Sequence, residues 1–110
     1  MTDYDHAAID EVLHSRVRLA IVAFLAGAGV ADFAAVRGAI KTTDGNASVH
    51  LRKLADSLYI AVEKRFVARR PQTLYRLTDA GRQALSEYVA HLESLLPKES
   101  DHASGAAPTG

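Results

Sequence analysis

A mainly α-helical domain carrying one small β-hairpin (α+β) is the fold class that these 110 residues predict. Three observations lead there. Apolar residues recur at helical spacing through most of the chain, and Ser, Thr or Asp stands just before four of those stretches. One interval alone, between Ile60 and Thr78, alternates with a period of two.

The elements follow in order. Residues 1–6 are polar and predict a flexible N-terminus. Ile9, Val12 and Leu13 predict a short helix from Ala7 to Leu13. Ser15 caps a second, Arg16 to Ala26, whose wide apolar face holds Val17, Leu19, Ala20, Ile21, Phe24 and Leu25 before the Gly27-Ala-Gly29 break. Asp32 caps Phe33 to Ile40, with Phe33, Val36 and Ile40 turned inward. Thr42 or Thr43 caps a fourth helix running to about Asp56, with Ala47, Leu51 and Leu54 as its core stripe. Ile60 to Val67 and Leu74 to Thr78 are predicted strands, neither face of the first being cleanly apolar, with Arg69-Arg70-Pro71-Gln72-Thr73 as the turn. Thr78 or Asp79 caps a last helix, Ala80 to Leu96, which Pro97 stops. Residues 7–97 thus predict one domain, and the small polar residues 98–110 a disordered tail.

Nearly half the residues are apolar and about a quarter are charged, an ordinary balance for a soluble domain. No apolar run approaches the roughly 18 residues of a membrane span, and the acidic N-terminus has no signal-peptide pattern, so a cytoplasmic location without membrane contact is expected. Zero cysteines exclude a disulfide framework, a thiolate zinc site and a cysteine redox switch on this chain. The net charge of zero hides a segregation. From Arg37 to Arg76 nine Lys/Arg face three Asp/Glu, whereas the remainder holds four against ten. A basic segment between acidic ends suggests nucleic acid as partner.

That basic segment is also the most informative in pattern. Thr42-Thr-Asp-Gly-Asn-Ala-Ser-Val-His-Leu-Arg-Lys-Leu54 is a capped helix with cations along one side. Tyr59-Ile-Ala-Val-Glu-Lys-Arg-Phe-Val67 and Ala68-Arg-Arg-Pro-Gln-Thr-Leu-Tyr-Arg-Leu-Thr78 follow as strand, basic turn and strand. Opposite the core stripe of the helix stand Gly45, Asn46, Val49, Arg52 and Lys53. Asn46 and Val49 lie in the first two turns, where Asn can bond adenine and Val can touch a thymine methyl; the bland alternative for Asn46 is satisfying the helix end. Arg52, Lys53 and Ser48 suit phosphates, and Thr43 completes the set at the helix start. Arg69 and Arg70 suit a minor groove or phosphates through their planar donor forks.

In this order of segments, residues 13–96 resemble the winged helix-turn-helix domains of small transcription regulators, in particular the stand-alone group related to the MarR and ArsR families. The resemblance spans about three quarters of the chain and implies a helix for the DNA major groove beside a β-hairpin wing, with an additional C-terminal helix. It implies a sequence-specific regulator binding double-stranded DNA, with no effector ligand named. The His50-Leu51 pair is common in such regulators, which implies a partly buried structural imidazole. The chain departs from its relatives in carrying Val49 where they often have a basic or longer polar residue. It departs again in carrying Ser57-Leu58-Tyr59 where they place a glycine; a left-handed Leu58 would cost about 1–2 kcal/mol.

On the last helix Leu85, Tyr88, Leu92 and Leu95 follow 3-4-3 spacing, widened by Val89 and Leu96. Joined by Ile9, Val12 and Leu13, they predict a patch shared with a second copy, hence a homodimeric repressor on a palindromic operator. A single-chain core helix is the plainer alternative. Glu87 and His91 stand at i, i+4 but lack the several ligands of metal-sensing relatives, so neither a metal nor another cofactor is expected. An enzyme is not expected either: there is no glycine-rich phosphate loop, and Ser48 and His50 do not face each other on a helix. The competing reading is a winged-helix module that binds another protein.

Overall fold

Each of the four helices in the computed structural model, which describes residues 10–96, starts on a side-chain cap. Ser15 Oγ accepts from the Arg18 amide at 3.3 Å, opening α1 (Arg16–Ala28). Asp32 Oδ1 accepts from Ala35 at 2.9 Å for α2 (Phe33–Ile40), and Thr43 Oγ1 from Asn46 at 3.1 Å for α3 (Asp44–Asp56). Thr78 Oγ1 accepts from Gly81 at 3.0 Å for α4 (Asp79–Ser94). Each cap satisfies an orphan helix-end donor, worth about 1 kcal/mol.

Between α1 and α2 lies a short strand, β1 (Val30–Asp32), which pattern reading missed. It pairs antiparallel with β3 (Arg70–Leu77), which pairs in turn with β2 (Ile60–Val67), giving a three-stranded sheet in the order β1-β3-β2. The hairpin is thus one side of a sheet. Helix α1 sits at the centre and packs against α2, α3, α4 and β3. Its Ile21, Val22 and Leu25 form a core with Val36, Leu51, Leu54, Ile60, Leu77, Ala84 and Tyr88.

Four local expectations need correction. Residues 10–13 form a turn rather than the end of an α-helix, with Asp10 Oδ1 accepting from Val12 and Leu13 at 2.9 and 3.1 Å. Helix α1 runs through Gly27 to Ala28 and stops only at Gly29, whose φ of 84° suits glycine. The hairpin turn is Ala68-Arg69, not residues 69–73, because Val67 pairs directly with Arg70. Both turn residues have positive φ, 52° and 68°, as a two-residue primed turn requires. Pro71 consequently lies within β3 opposite Phe66; one step from the closing pair its missing N–H points away from β2, where no ladder bond is lost. The expected flexible segment 1–6, residues 7–9 of the expected first helix and the tail 98–110 lie outside the described residues.

The end of α3 is joined to the start of α4 by one tight knot. Leu58 does adopt the left-handed conformation (φ 66°), its amide donating to Ala55 at 2.9 Å and that of Tyr59 to Leu54 at 3.0 Å. These two bonds form a Schellman cap without its usual glycine, so the chain accepts the Cβ penalty of about 1–2 kcal/mol. The Thr78 amide donates to the Tyr59 carbonyl at 3.0 Å, and its hydroxyl to that of Leu58 at 2.7 Å. Here α4 presses so close that a Cβ on Gly81 would overlap the Tyr59 carbonyl oxygen and lie 2.7 Å from Leu77 Cδ1. Glycine at that helical position is therefore a packing requirement.

Candidate nucleic-acid interface

Ala47, Leu51 and Leu54 bury one side of α3 and so fix which side meets solvent. Beside that stripe His50 is partly buried against α1, where Arg18 Nη1 donates to His50 Nδ1 at 3.1 Å. Arginine cannot accept, so Nδ1 is the unprotonated ring nitrogen. Burial first, and then the Arg18 charge, push the His50 pKa below its ordinary value. Arg18 Nε also donates to the Val12 carbonyl at 2.6 Å, tying the turn at residues 10–13 to α3 through one side chain. Asp10 adds a second tie by accepting from the Tyr59 hydroxyl at 2.5 Å. Burial, that hydrogen bond and nearby carboxylates raise the Tyr59 pKa to about 12.

Helical periodicity sorts the outward residues into three rows. Gly45 and Val49 point straight out, Val49 being 66% exposed. Ser48 and Arg52 turn toward the sheet, lining a groove of about 340 Å³ with Val62, Lys64, Thr73 and Tyr75. Asn46 and Lys53 are exposed on the flank away from Ser48 and Arg52. Asn46 Nδ2 donates to Thr42 Oγ1 at 2.7 Å, which uses one of its two amide hydrogens at the helix start. Thr43 Oγ1 accepts as the cap of α3, a bond that does not use its hydroxyl hydrogen. The acid of the first turn, Asp44, lies 2.7 Å from Arg37 Nε, which offsets a negative charge at the exposed end of the helix.

The hairpin alternates sides, so its register decides which residues look toward α3. Ile60 with Leu77, Val62 with Tyr75, Lys64 with Thr73 and Phe66 with Pro71 share the side of the groove. Arg65, Val67, Arg70 and Gln72 share the other, where Arg65 Nε donates to Gln72 Oε1 at 3.2 Å. Arg69 is at the turn itself and exposed, whereas exposed Arg70 projects from the reverse side. The sequence reading thus named α3's outer residues and the tip, but missed Lys64, Thr73 and Tyr75. Anchoring the hairpin on its two buried ends, Ile60 and Leu77, is the signal that finds them.

Of the expected dimer residues, Leu13 and Tyr88 are spent within the chain, at 0% and 7% exposure, and Val12 and Leu85 pack partly against the core. Ile9 lies outside the described residues. The final turns of α4 leave Val89, Leu92, Leu95 and Leu96 exposed, and His14, Tyr88, His91, Leu92 and Leu95 line a small, almost wholly apolar cleft. No group of three or more His, Cys, Asp or Glu suited to a metal exists among the described residues. No helix among them is long and apolar enough to cross a membrane.

Known proteins repeat this architecture. An uncharacterised protein of Methanocaldococcus jannaschii is 29% identical over 85 residues, covering 77% of this chain and 92% of that protein. A transcriptional regulator homologue from Pyrococcus horikoshii OT3 superposes with a TM-score of 0.72 at 28% identity, covering 78% of this chain and 85% of the other. ZitR of Lactococcus lactis, described as a zinc-responsive MarR family member, gives 0.62 at 22% identity, covering 87% of this chain and 65% of its own. A Cys-to-Ser variant of ZitR is known in complex with DNA. The family described as the winged helix DNA-binding domain matches residues 17–96. With α3 packed beside the β2–β3 hairpin, the chain belongs to the winged helix DNA-binding domain family.

Proposed function

We propose that this protein is a homodimeric, sequence-specific repressor that binds a near-palindromic operator and occludes a promoter. The observation that carries the reading is the exposed side of α3, with Ser48, Val49, Arg52 and Lys53 set beside a wing whose residues 64–73 hold four cations and no carboxylate. Gly45, Asn46 and Val49 face base edges; Thr43, Ser48, Arg52 and Lys53 face phosphates; Arg69 and Arg70 add contacts from the wing. Support for the dimer comes from Val89, Leu92, Leu95 and Leu96, an apolar stripe that the chain's own core leaves uncovered.

Selection from random duplexes tests the reading. The expected product is a near-palindrome with half-sites one helical turn apart, about 34–36 Å, bound with an affinity that falls steeply with salt. The wild type should sediment as a dimer, and Leu92→Asp should separate it and cost DNA affinity by burying an unpaired carboxylate. No enriched sequence, or a flat salt response, removes the DNA reading in favour of a protein partner. A wild-type monomer at micromolar concentration removes the dimer.

A further inference from the structure

The outer half of the wing carries an apolar pair where the core has run out. On the side of the hairpin that looks toward α3, exposure along β2 rises from 3% at Ile60 to 42% at Val62 and 75% at Phe66. Lys64 and Thr73, a polar pair, separate Phe66 and Pro71 from the last buried layer. Among the described residues Phe66 takes no part in the core, and its partner across the hairpin is Pro71. The charges between residues 64 and 73 are all cations: Lys64 on the same side as Phe66, Arg69 at the turn, and Arg65 and Arg70 on the reverse side. An apolar point on a hairpin flanked only by cations is complementary to a groove floor between two phosphate strands.

We infer that Phe66, backed by Pro71, is an apolar wedge that enters the minor groove of double-stranded DNA beside the major-groove site of α3. The inference rests on the DNA-binding reading above and adds a source of selectivity to it. Phe66 is four residues beyond Val62, about 13 Å along the strand. An inserted ring partly unstacks a base step, which is cheapest at flexible pyrimidine–purine steps. The wing would thus choose sequence through deformability, at a step where it makes no base hydrogen bond.

The test uses the duplex that the wild-type protein selects from a random pool, labelled with 2-aminopurine at one position at a time. Wild-type binding should raise the fluorescence at one step outside the α3 half-site. Phe66→Ala should abolish that rise and weaken binding by about 10-fold, with the salt slope unchanged because no phosphate contact is lost. Phe66→Leu should keep most of both, which separates a wedge from a fold that merely needs a residue there. Phe66→Lys, which adds charge but no wedge, should lose the fluorescence signal. A wild type that binds without any fluorescence change overturns the wedge alone, as does a Phe66→Ala or Phe66→Lys variant that keeps the full signal. A wild type that selects no duplex overturns the DNA reading and the wedge together.

Discussion

Helix α3 and the outer wing both face the proposed DNA, yet they are held in opposite ways. Three buried residues, the His50–Arg18 hydrogen bond, the Thr43 cap and the Schellman turn at Leu58 position α3 on all sides. Beyond Val62 and Tyr75 the wing has cross-strand pairing and a primed turn, but every residue from Glu63 to Pro71 is exposed. Substitution on the inner side of α3 should therefore disturb stability and binding together, whereas substitution in the wing should separate them.

The largest expected effect is Leu54→Ala. Leu54 is fully buried beneath α3, and the cavity left behind should cost about 2–5 kcal/mol in chemical denaturation. A loss below 1 kcal/mol, well under that range, would break the contrast, since α3 would then not depend on its inner stripe. Next comes Asn46→Ala, expected to cost about 1–3 kcal/mol at one base step with little change in stability. If the selected motif is unaltered, the Thr42 hydrogen bond is the whole role of Asn46.

Replacing Arg69 and Arg70 together with Ala should flatten the salt slope by roughly one to two units while stability moves by less than about 0.5 kcal/mol. Arg70 projects from the reverse side of the hairpin, so the single variants sharpen the comparison: Arg69→Ala should account for more of the change. Equal effects would show that the tip is rotated when bound. The smallest effect concerns His50. Its folded pKa is lowered, so the unfolded chain takes up the proton first as pH falls below about 6.5. Stability is full above that pH and declines as pH falls toward the folded value. His50→Gln, which can still accept from Arg18, should flatten the decline in thermal midpoint between about pH 7 and pH 5.

The buried stripe of α3 was legible because Ala47, Leu51 and Leu54 repeat at helical spacing and a capping threonine marks the start. Three features hid the rest. Strand β1 is only three residues, too short to show a period, and exists because β3 offers it an edge. Ala68, Arg69 and Leu58 hold positive φ without glycine or asparagine, so the tight turn was assigned to the more conspicuous Pro71. Gly81 resembles a flaw in a helix until the Tyr59 carbonyl is placed against it. The groove side of the wing was hidden for a related reason: alternation shows that two sides exist, and only packing against α3 tells which is which.

One property of the two-residue turn bears on how such a wing can change by insertion. Parity matters more than length. Because Val67 and Arg70 close the hairpin directly, the side that each outer residue takes is counted from Ile60 and Leu77. One residue added to each strand between those anchors and the tip turns Phe66 and Pro71 to the back and brings their neighbours forward. Two added to each strand restore the arrangement with the tip about 7 Å farther out. Placed beyond Glu63 and Leu74, outside the part of β3 that pairs with β1, either insertion should leave the core intact, and only the even one should preserve the chemistry the tip presents.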